Sequence, residues 1–311
     1  MPVVLISGGT GLVGANLTRH LLERNYEVII LTRDKNRTSK NLKISYSYWN
    51  IKGQIIDVGV IKKADHIIHL AGAGVMDKKW TADYKKIILE SRTKSVELII
   101  KTLQENEHHV KTFVSASAIG WYGEDASPLI RREGFIETDL PAKGFLGETC
   151  LLWEAASDPV KSLGIRLVRL RCGIVLSNEG GAFKEFKTPL RFGVATIFGN
   201  GKQIISWIHI DDLCRMYCDA IENNYLHGSY NAVAPEPVSQ KKFMVALGEK
   251  MRNRFFTPIH IPVFILKLFL GKRSMEILKS ATVSNKKIKA AGFTFLYPTL
   301  QAALDELTSH K

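Results

Sequence analysis

Apolar positions along the chain follow two alternating rhythms. Short, nearly unbroken apolar runs occur at Val3–Ile6 and Val28–Leu31, and across 65–74, 110–117 and 165–172. Strands covered on both faces of a parallel sheet read this way. Between the runs lie stretches with helical spacing. Val13, Leu17 and Leu21 share one face, as do Tyr84, Ile88, Ser91, Ser95 and Leu98 within 81–103. Phe145, Thr149, Leu152, Trp153 and Ala156 do the same within 141–157. Ile44–Trp49 alternates and reads as a further strand, and Gly228–Val233 as another. Strand–helix units in this order predict an α/β chain with a doubly wound parallel sheet.

From Gly173 the rhythm breaks. Gly180, Gly181, Gly193, Gly199 and Gly201 mark a loop-rich region, followed by a predicted helix over Ile208–Glu222 with Asp211 as its cap. The remainder, 240–311, reads as mostly helical. The expected organisation is a nucleotide-binding lobe of 1–172 plus about 211–235, and a smaller, mostly helical substrate lobe of 173–210 plus 236–311.

Composition adjusts this only slightly. A chain of 311 residues, 45% hydrophobic, can bury a sizeable core. Its first residues already form a core strand, so no targeting segment and a cytoplasmic location are expected. The longest apolar stretch, Ile259–Leu270, is too short to span a bilayer, so no stable membrane insertion is expected; a buried helix of the substrate lobe is the preferred reading and a surface anchor the other. Cys150, Cys172, Cys214 and Cys218 lack the spacing of a metal site and read as free thiols, so no metal is expected. The net charge of +13 raises a nucleic-acid partner. Because the lysines are scattered and no aromatic-interleaved basic tract exists, a basic surface with anion sites is the preferred reading. The sequence leaves the oligomeric state open.

Chemistry concentrates at the first turn. Val3–Ile6 runs into Gly8-Gly9-Thr10-Gly11-Leu12-Val13-Gly14, and a helix follows. Glycines there permit positive φ and close approach of backbone to a ligand. The helix start offers free N–H groups and a positive dipole end, which suit a pyrophosphate. After Val28–Leu31, Thr32 stands where a ribose-binding acid is usual, and Arg33 follows. Arginine at that corner favours a 2′-phosphate and hence NADP over NAD. Asp34, twenty residues past Gly14, is the competing ribose ligand.

The Gly8–Gly14 turn, Leu70-Ala71-Gly72, Ser115-Ala116-Ser117 and Ile208-His209-Ile210-Asp211-Asp212 resemble the extended short-chain dehydrogenase/reductase superfamily, which includes the nucleotide-sugar epimerases. A narrower resemblance is to its atypical, epimerase-like branch of NADP-binding proteins, often labelled cell-division-inhibitor-like. Lys79-Trp80, Lys85, Ser91-Arg92, Ser117–Gly123, Trp153-Glu154, Gly180-Gly181 and Gly201–Asp212 carry it. The resemblance implies a Rossmann-type sheet that binds NADP(H) through Gly8, Thr10, Gly11, Leu12, Val13, Gly14, Thr32, Arg33, Leu70, Ala71, Gly72, Arg92 and Ser115.

The family's reaction uses a Tyr-x-x-x-Lys pair on one helix, the Lys lowering the Tyr pKa. Counting back from Glu154 puts Leu146 and Cys150 at those places. Neither side chain can do the work. The remaining candidates are Ser117 and Tyr122 for catalysis, and Lys85, Gln203 and Trp207 for substrate. Lys85 and Arg92 are placed to face cofactor or an anionic substrate, with a structural ion pair the other reading of Arg92. Lys184, Lys187 and Arg191 read equally as a phosphate site or an exposed basic face, while His209 reads as a structural hydrogen-bonder. The expected function is an NADP-dependent oxidoreductase or epimerase-like enzyme on a small, anionic or nucleotide-linked molecule. The alternative is a non-catalytic NADP-binding regulator.

Overall fold

The structure is a computed structural model that describes residues 1–125 and 132–309. The central sheet takes its strands from the predicted apolar runs. They are β1 (Val3–Ser7), β2 (Glu27–Thr32), β3 (Ile44–Asn50), β4 (Ile55–Ile56), β5 (His66–His69), β6 (Thr112–Ala118), β7 (Arg166–Cys172) and, after four further strands, β12 (Gly228–Ala232). Their spatial order is β12-β7-β6-β5-β1-β2-β3-β4. All neighbours are parallel except β3 and β4. The chain leaves β1 toward β2 and β3, then returns to place β5 on the other side of β1. That reversal opens a crevice at the carboxyl ends of β1 and β5.

Helices cover both faces of the sheet: α1 (Leu12–Glu23), α2 (Val58–Lys63), α3 (Ala82–Glu105) and α4 (Phe145–Ala156). Thr81 caps α3 by accepting from the Tyr84 N–H at 3.2 Å. The predicted strand over 65–74 stops at His69, and 70–80 runs as loop. The predicted helix over 208–222 divides into β11 (Trp207–His209) and α6 (Ile210–Glu222). Its cap is His209, whose Nδ1 accepts from the Asp211 N–H. Asp211 instead pairs with His20 at 3.1 Å and Arg19 at 3.6 Å on α1.

β7 carries three arginines inside the sheet, and each has a defined partner. Arg166 reaches the carbonyls of Ala220 and Ile221 at the end of α6, where a cation suits the helix dipole. Arg169 bonds Ser157 and Asp158, and Arg171 bonds Glu154.

The smaller lobe has its own apolar cluster, including Leu176, Phe183, Leu190, Trp207, Phe243, Leu247, Leu304 and Leu307. Its helices are α5 (Gly181–Arg191), α7 (Gln240–Arg252), α8 (Val263–Leu270), α9 (Ser274–Leu278) and α11 (Leu300–Ser309), whereas α10 (Lys286–Ala290), expected in this lobe, buries Ile288 in the core of the central sheet beside β12. Three two-stranded ladders lie here: β8 (Ile174–Leu176) with β11, β9 (Val194–Phe198) with β14 (Thr257–Ile261), and β10 (Ile204–Ile205) with β13 (Val238–Ser239).

The stretch 259–270 departs from expectation. It is not one buried helix. Pro262 separates the end of β14 from α8, and in α8 only Leu266 is buried. Phe264, Leu268 and Phe269 are 70%, 78% and 71% exposed. The apolar character was legible, but nothing in it says whether a partner surface exists in the same chain.

Candidate functional site

The turn between β1 and α1 sits at the crevice. Gly8 has φ +75°, and a Cβ there would lie 2.8 Å from the Ala71 nitrogen and the Leu70 carbonyl carbon. A Cβ on Gly14 would lie 2.4 Å from the Gly8 oxygen. Both positions therefore demand glycine for packing alone. Gly11 stands at the N-cap with no side-chain cap, and the first turn of α1 carries no acid. Thr10 and Gly11 are exposed, and Leu12 and Val13 are half-buried, so this helix start faces out toward the crevice. Together these features form an uncapped, positively polarised cradle of the shape a pyrophosphate fits.

Opposite the turn, the loop after β5 brings Leu70, Ala71 and Gly72 alongside. α3 clasps this loop through its backbone. Ser91 Oγ accepts from the Ala73 N–H at 2.9 Å, Tyr84 donates to the Gly74 carbonyl at 2.7 Å, and Arg92 donates to the Ala73 carbonyl at 3.0 Å. Arg92 also bonds the Ile88 carbonyl and lies over the Trp153 ring. A Cβ at Gly72 would lie 2.9 Å from the Arg92 guanidinium carbon. Arg92 makes no ion pair among the described residues; its guanidinium holds the loop backbone beside Gly72.

At the end of β2, Thr32 is buried and its Oγ1 accepts from the Asp34 N–H at 3.1 Å. Arg33 is exposed beside it. Lys35 and Arg37 lie over the Tyr48 and Tyr46 rings. Asp34 Oδ1 accepts from the Asn36 N–H, turning the corner.

The end of β6 differs most from the sequence-based expectation. Ser117 is 2% exposed and donates to Glu154 Oε1 at 2.7 Å. Ser115 is also buried, donating to the Ala116 carbonyl. Tyr122 is fully buried. Its hydroxyl donates to Asn231 Oδ1 at 2.6 Å and accepts from Arg171 at 3.0 Å. Arg171 in turn grips both oxygens of Glu154, at 2.8 and 3.0 Å, and lies over Trp121. Burial pushes the Tyr122 hydroxyl up to about 12 even though Arg171 and Asn231 pull it down. Tyr122 is thus corrected from a cleft proton donor to a member of a buried network. Its position after a short 3₁₀ turn (Ile119–Trp121) rotates it into the protein.

Leu146 and Cys150 do lie next to that turn. A Cβ on Gly120 would touch Leu146 Cβ at 3.5 Å and Cys150 Sγ at 3.6 Å. Burial pushes the Cys150 thiol up to about 12, which leaves it uncharged and inert.

A cavity of about 710 Å³ opens between the smaller lobe and the segment after Tyr122. Gln203, Asn200, Lys202, Glu124, Ser280 and Phe198 are among its lining residues. Gln203, expected in the substrate site, lines this cavity. Trp207 is not: it is fully buried, its indole N–H donating to the Glu236 carbonyl at 2.7 Å. Lys85 sits elsewhere, 4.8 Å from the Phe145 ring and 5.8 Å from the Trp80 ring. His209 makes structural hydrogen bonds, the second to Glu306 at 2.9 Å. Lys187 binds Asn178, while Lys184 and Arg191 are exposed.

Sequence reading missed Glu154, Arg171 and Asn231 as a unit. Arginine inside an otherwise apolar strand was the available signal, because a buried guanidinium requires a buried acceptor. It also missed Asp212, fully buried, which accepts from the Leu296 and Tyr297 N–H groups and anchors the C-terminal segment.

The NAD-dependent epimerase/dehydratase family matches residues 4–147, and a domain of unknown function matches 261–307. An epimerase family protein of Staphylococcus haemolyticus is 34% identical over 307 residues, 99% of each chain. The crystal structure of human epimerase family protein SDR39U1 (isoform 2) with NADPH superposes with a TM-score of 0.85 at 26% identity, covering 99% of this chain and 100% of that one. A nucleoside-diphosphate sugar epimerase from Corynebacterium glutamicum gives 0.76 at 30% identity, covering 99% of this chain and 59% of that one.

Proposed function

This chain belongs to the NAD-dependent epimerase/dehydratase family, among the extended short-chain dehydrogenases/reductases, and from that premise we propose that it is an epimerase-like oxidoreductase that binds NADP(H) and acts on a small molecule. The observation that carries this reading is the cradle at the β1–α1 turn. Gly8 and Gly14 leave no room for a side chain, and the helix start beyond them is uncapped. In this reading Gly8–Gly14 hold the pyrophosphate, and Leu70, Ala71 and Gly72 line the adenosine side. Exposed Arg33 takes the 2′-phosphate, and the NADPH of the human relative supports that choice. When bound, the nicotinamide supplies or accepts the hydride. The substrate enters the cavity lined by Gln203, Asn200 and Lys202.

One observation favours the alternative, a cofactor-binding regulator without chemistry. The places of the usual Tyr and Lys hold Leu146 and Cys150, and the hydroxyls of Ser117 and Tyr122 are spent on buried partners. A single set of measurements separates the readings. The purified protein is expected to bind NADPH at least about tenfold tighter than NADH, the scale of one well-placed charged contact. Arg33→Asp should reverse that preference, and equal affinities in the parent protein would remove the Arg33 argument. Stopped-flow mixing of the NADPH complex with a panel of carbonyl compounds and nucleotide sugars then decides on chemistry. Oxidation by any member supports the enzyme; tight binding with no oxidation supports the regulator.

A further inference from the structure

Helix α8 combines two properties that do not normally coexist. Its sequence, Val-Phe-Ile-Leu-Lys-Leu-Phe-Leu, is apolar around nearly its whole circumference, the pattern of a helix enclosed by protein. Yet only Leu266 is enclosed. Phe264, Lys267 and Leu268 stand at i, i+3 and i+4 on the side facing away from Leu266, and Phe269 widens the exposed arc. Met275, in the next helix, is 65% exposed. Large exposed apolar patches mark interaction surfaces.

The charges carried by the segment itself are basic. Between Lys250 and Met275 stand Lys250, Arg252, Arg254, Lys267, Lys272 and Arg273 with no aspartate or glutamate; Lys250 pairs with Asp305, and Glu276 follows Met275 near Lys279. Lys267 and Lys272, which flank the exposed side chains of α8, are themselves exposed. Neither is ion-paired among the described residues. Phenylalanine and leucine beside unpaired lysines on a short exposed helix match the headgroup region of an anionic bilayer, where apolar side chains sink and ammonium groups reach the phosphates. Leu266 anchors the helix on the protein, and Arg273 ties the following turn to the Met76 carbonyl at 2.7 Å. No helix among the described residues is long and apolar enough to cross a membrane, so the contact is peripheral.

We propose that α8, through Phe264, Leu268 and Phe269 with Lys267 and Lys272, docks this protein reversibly on the surface of a membrane containing anionic phospholipid. Val263, on the same helix, lines the cavity. Docking therefore sets one wall of the cavity against the lipid.

The test is flotation of the purified full chain with vesicles of phosphatidylcholine, with and without phosphatidylglycerol. The expected result is binding to the anionic vesicles, at least about tenfold weaker to the neutral ones, and loss of binding in high salt. Replacing Phe264, Leu268 and Phe269 together by serine should abolish flotation, as should Lys267→Glu with Lys272→Glu, and both variants should keep the parent's NADPH affinity. If the serine variant melts without a cooperative transition, the charge-reversed pair decides. Absence of flotation overturns the proposal, as does equal binding to neutral vesicles. So does a self-associated species seen by light scattering that dissociates in the serine variant while the parent ignores vesicles.

Discussion

Glu154 shows how much one residue can hold. It receives two bonds from Arg171, one from Ser117 and a longer one of 3.3 Å from Ser229. Removing one member of a buried ion pair leaves the other charge without compensation and costs roughly 3 kcal/mol or more, whereas losing one hydrogen bond from a hydroxyl to a charged group costs about 1.5 kcal/mol. Glu154→Gln is therefore expected to lower unfolding stability by about 3 kcal/mol and Ser117→Ala by about 1.5 kcal/mol, as read from denaturant melts. If Ser117→Ala costs as much as Glu154→Gln, the ion pair is not the dominant member. The glycine turn was legible in the sequence because its signal is local: seven consecutive residues specify strand end, turn and helix start. The Glu154 network was not. Its members come from α4, β6, β7 and β12 and the segment after β6, and only the packed sheet brings them together. Tyr122 failed for the same reason. Its distance from Ser117 along the chain was known, but not its direction.

Among elements, α1 is where conflicting propensities are decided. In an exposed helix, glycine to alanine stabilises by about 1 kcal/mol. Gly14 lies where α1 meets the turn, and a Cβ there would be 2.4 Å from the Gly8 oxygen and 2.5 Å from the Gly9 Cα. Backbone cannot move aside as a flexible side chain can, so overpacking outweighs propensity. Gly14→Ala is expected to lower the melting temperature and weaken NADPH binding at least about tenfold, both measurable in one cofactor titration by thermal shift. A more stable protein with unchanged affinity would show that the close approach is dispensable. Strand and helix identities in the first lobe were readable because strict apolar runs and helical spacing alternate there. Element ends were less so: the loop after His69 is held by Ser91, Tyr84 and Arg92, bonds that no local pattern announces. α8 was misread because apolar composition says that a surface seeks cover, not where the cover comes from.

The whole molecule carries two imidazoles inside its sheet. Burial depresses His66 to about 4 and His69 to about 3, with the Arg92 charge adding to the effect at His69. Unfolded histidines titrate near 6.5, so between about pH 6.5 and 4 the unfolded chain binds protons that the folded chain refuses. Stability is therefore full above about pH 6.5 and falls as pH drops, by up to about 1.4 kcal/mol per pH unit for each histidine. Melts from pH 7 to pH 4.5 should show this decline, and His69→Gln should flatten it. An unchanged slope in that variant would assign the acid sensitivity elsewhere.

The polar partners of α1 also set a schedule for folding. Asn16 bonds Glu179 at 2.7 Å, His20 bonds Asp211 at 3.1 Å, and Arg24 pairs with Glu222 at 3.7 Å. The first helix to leave the ribosome thus waits for contacts made roughly two hundred residues later, and such long-range closure slows assembly. A nascent chain halted before α6 would expose the dinucleotide cradle on a helix with one flank unsupported. A polypeptide truncated before α6 is accordingly expected to lack a stable cradle, since two of the three polar partners of α1, Asp211 and Glu222, would be missing.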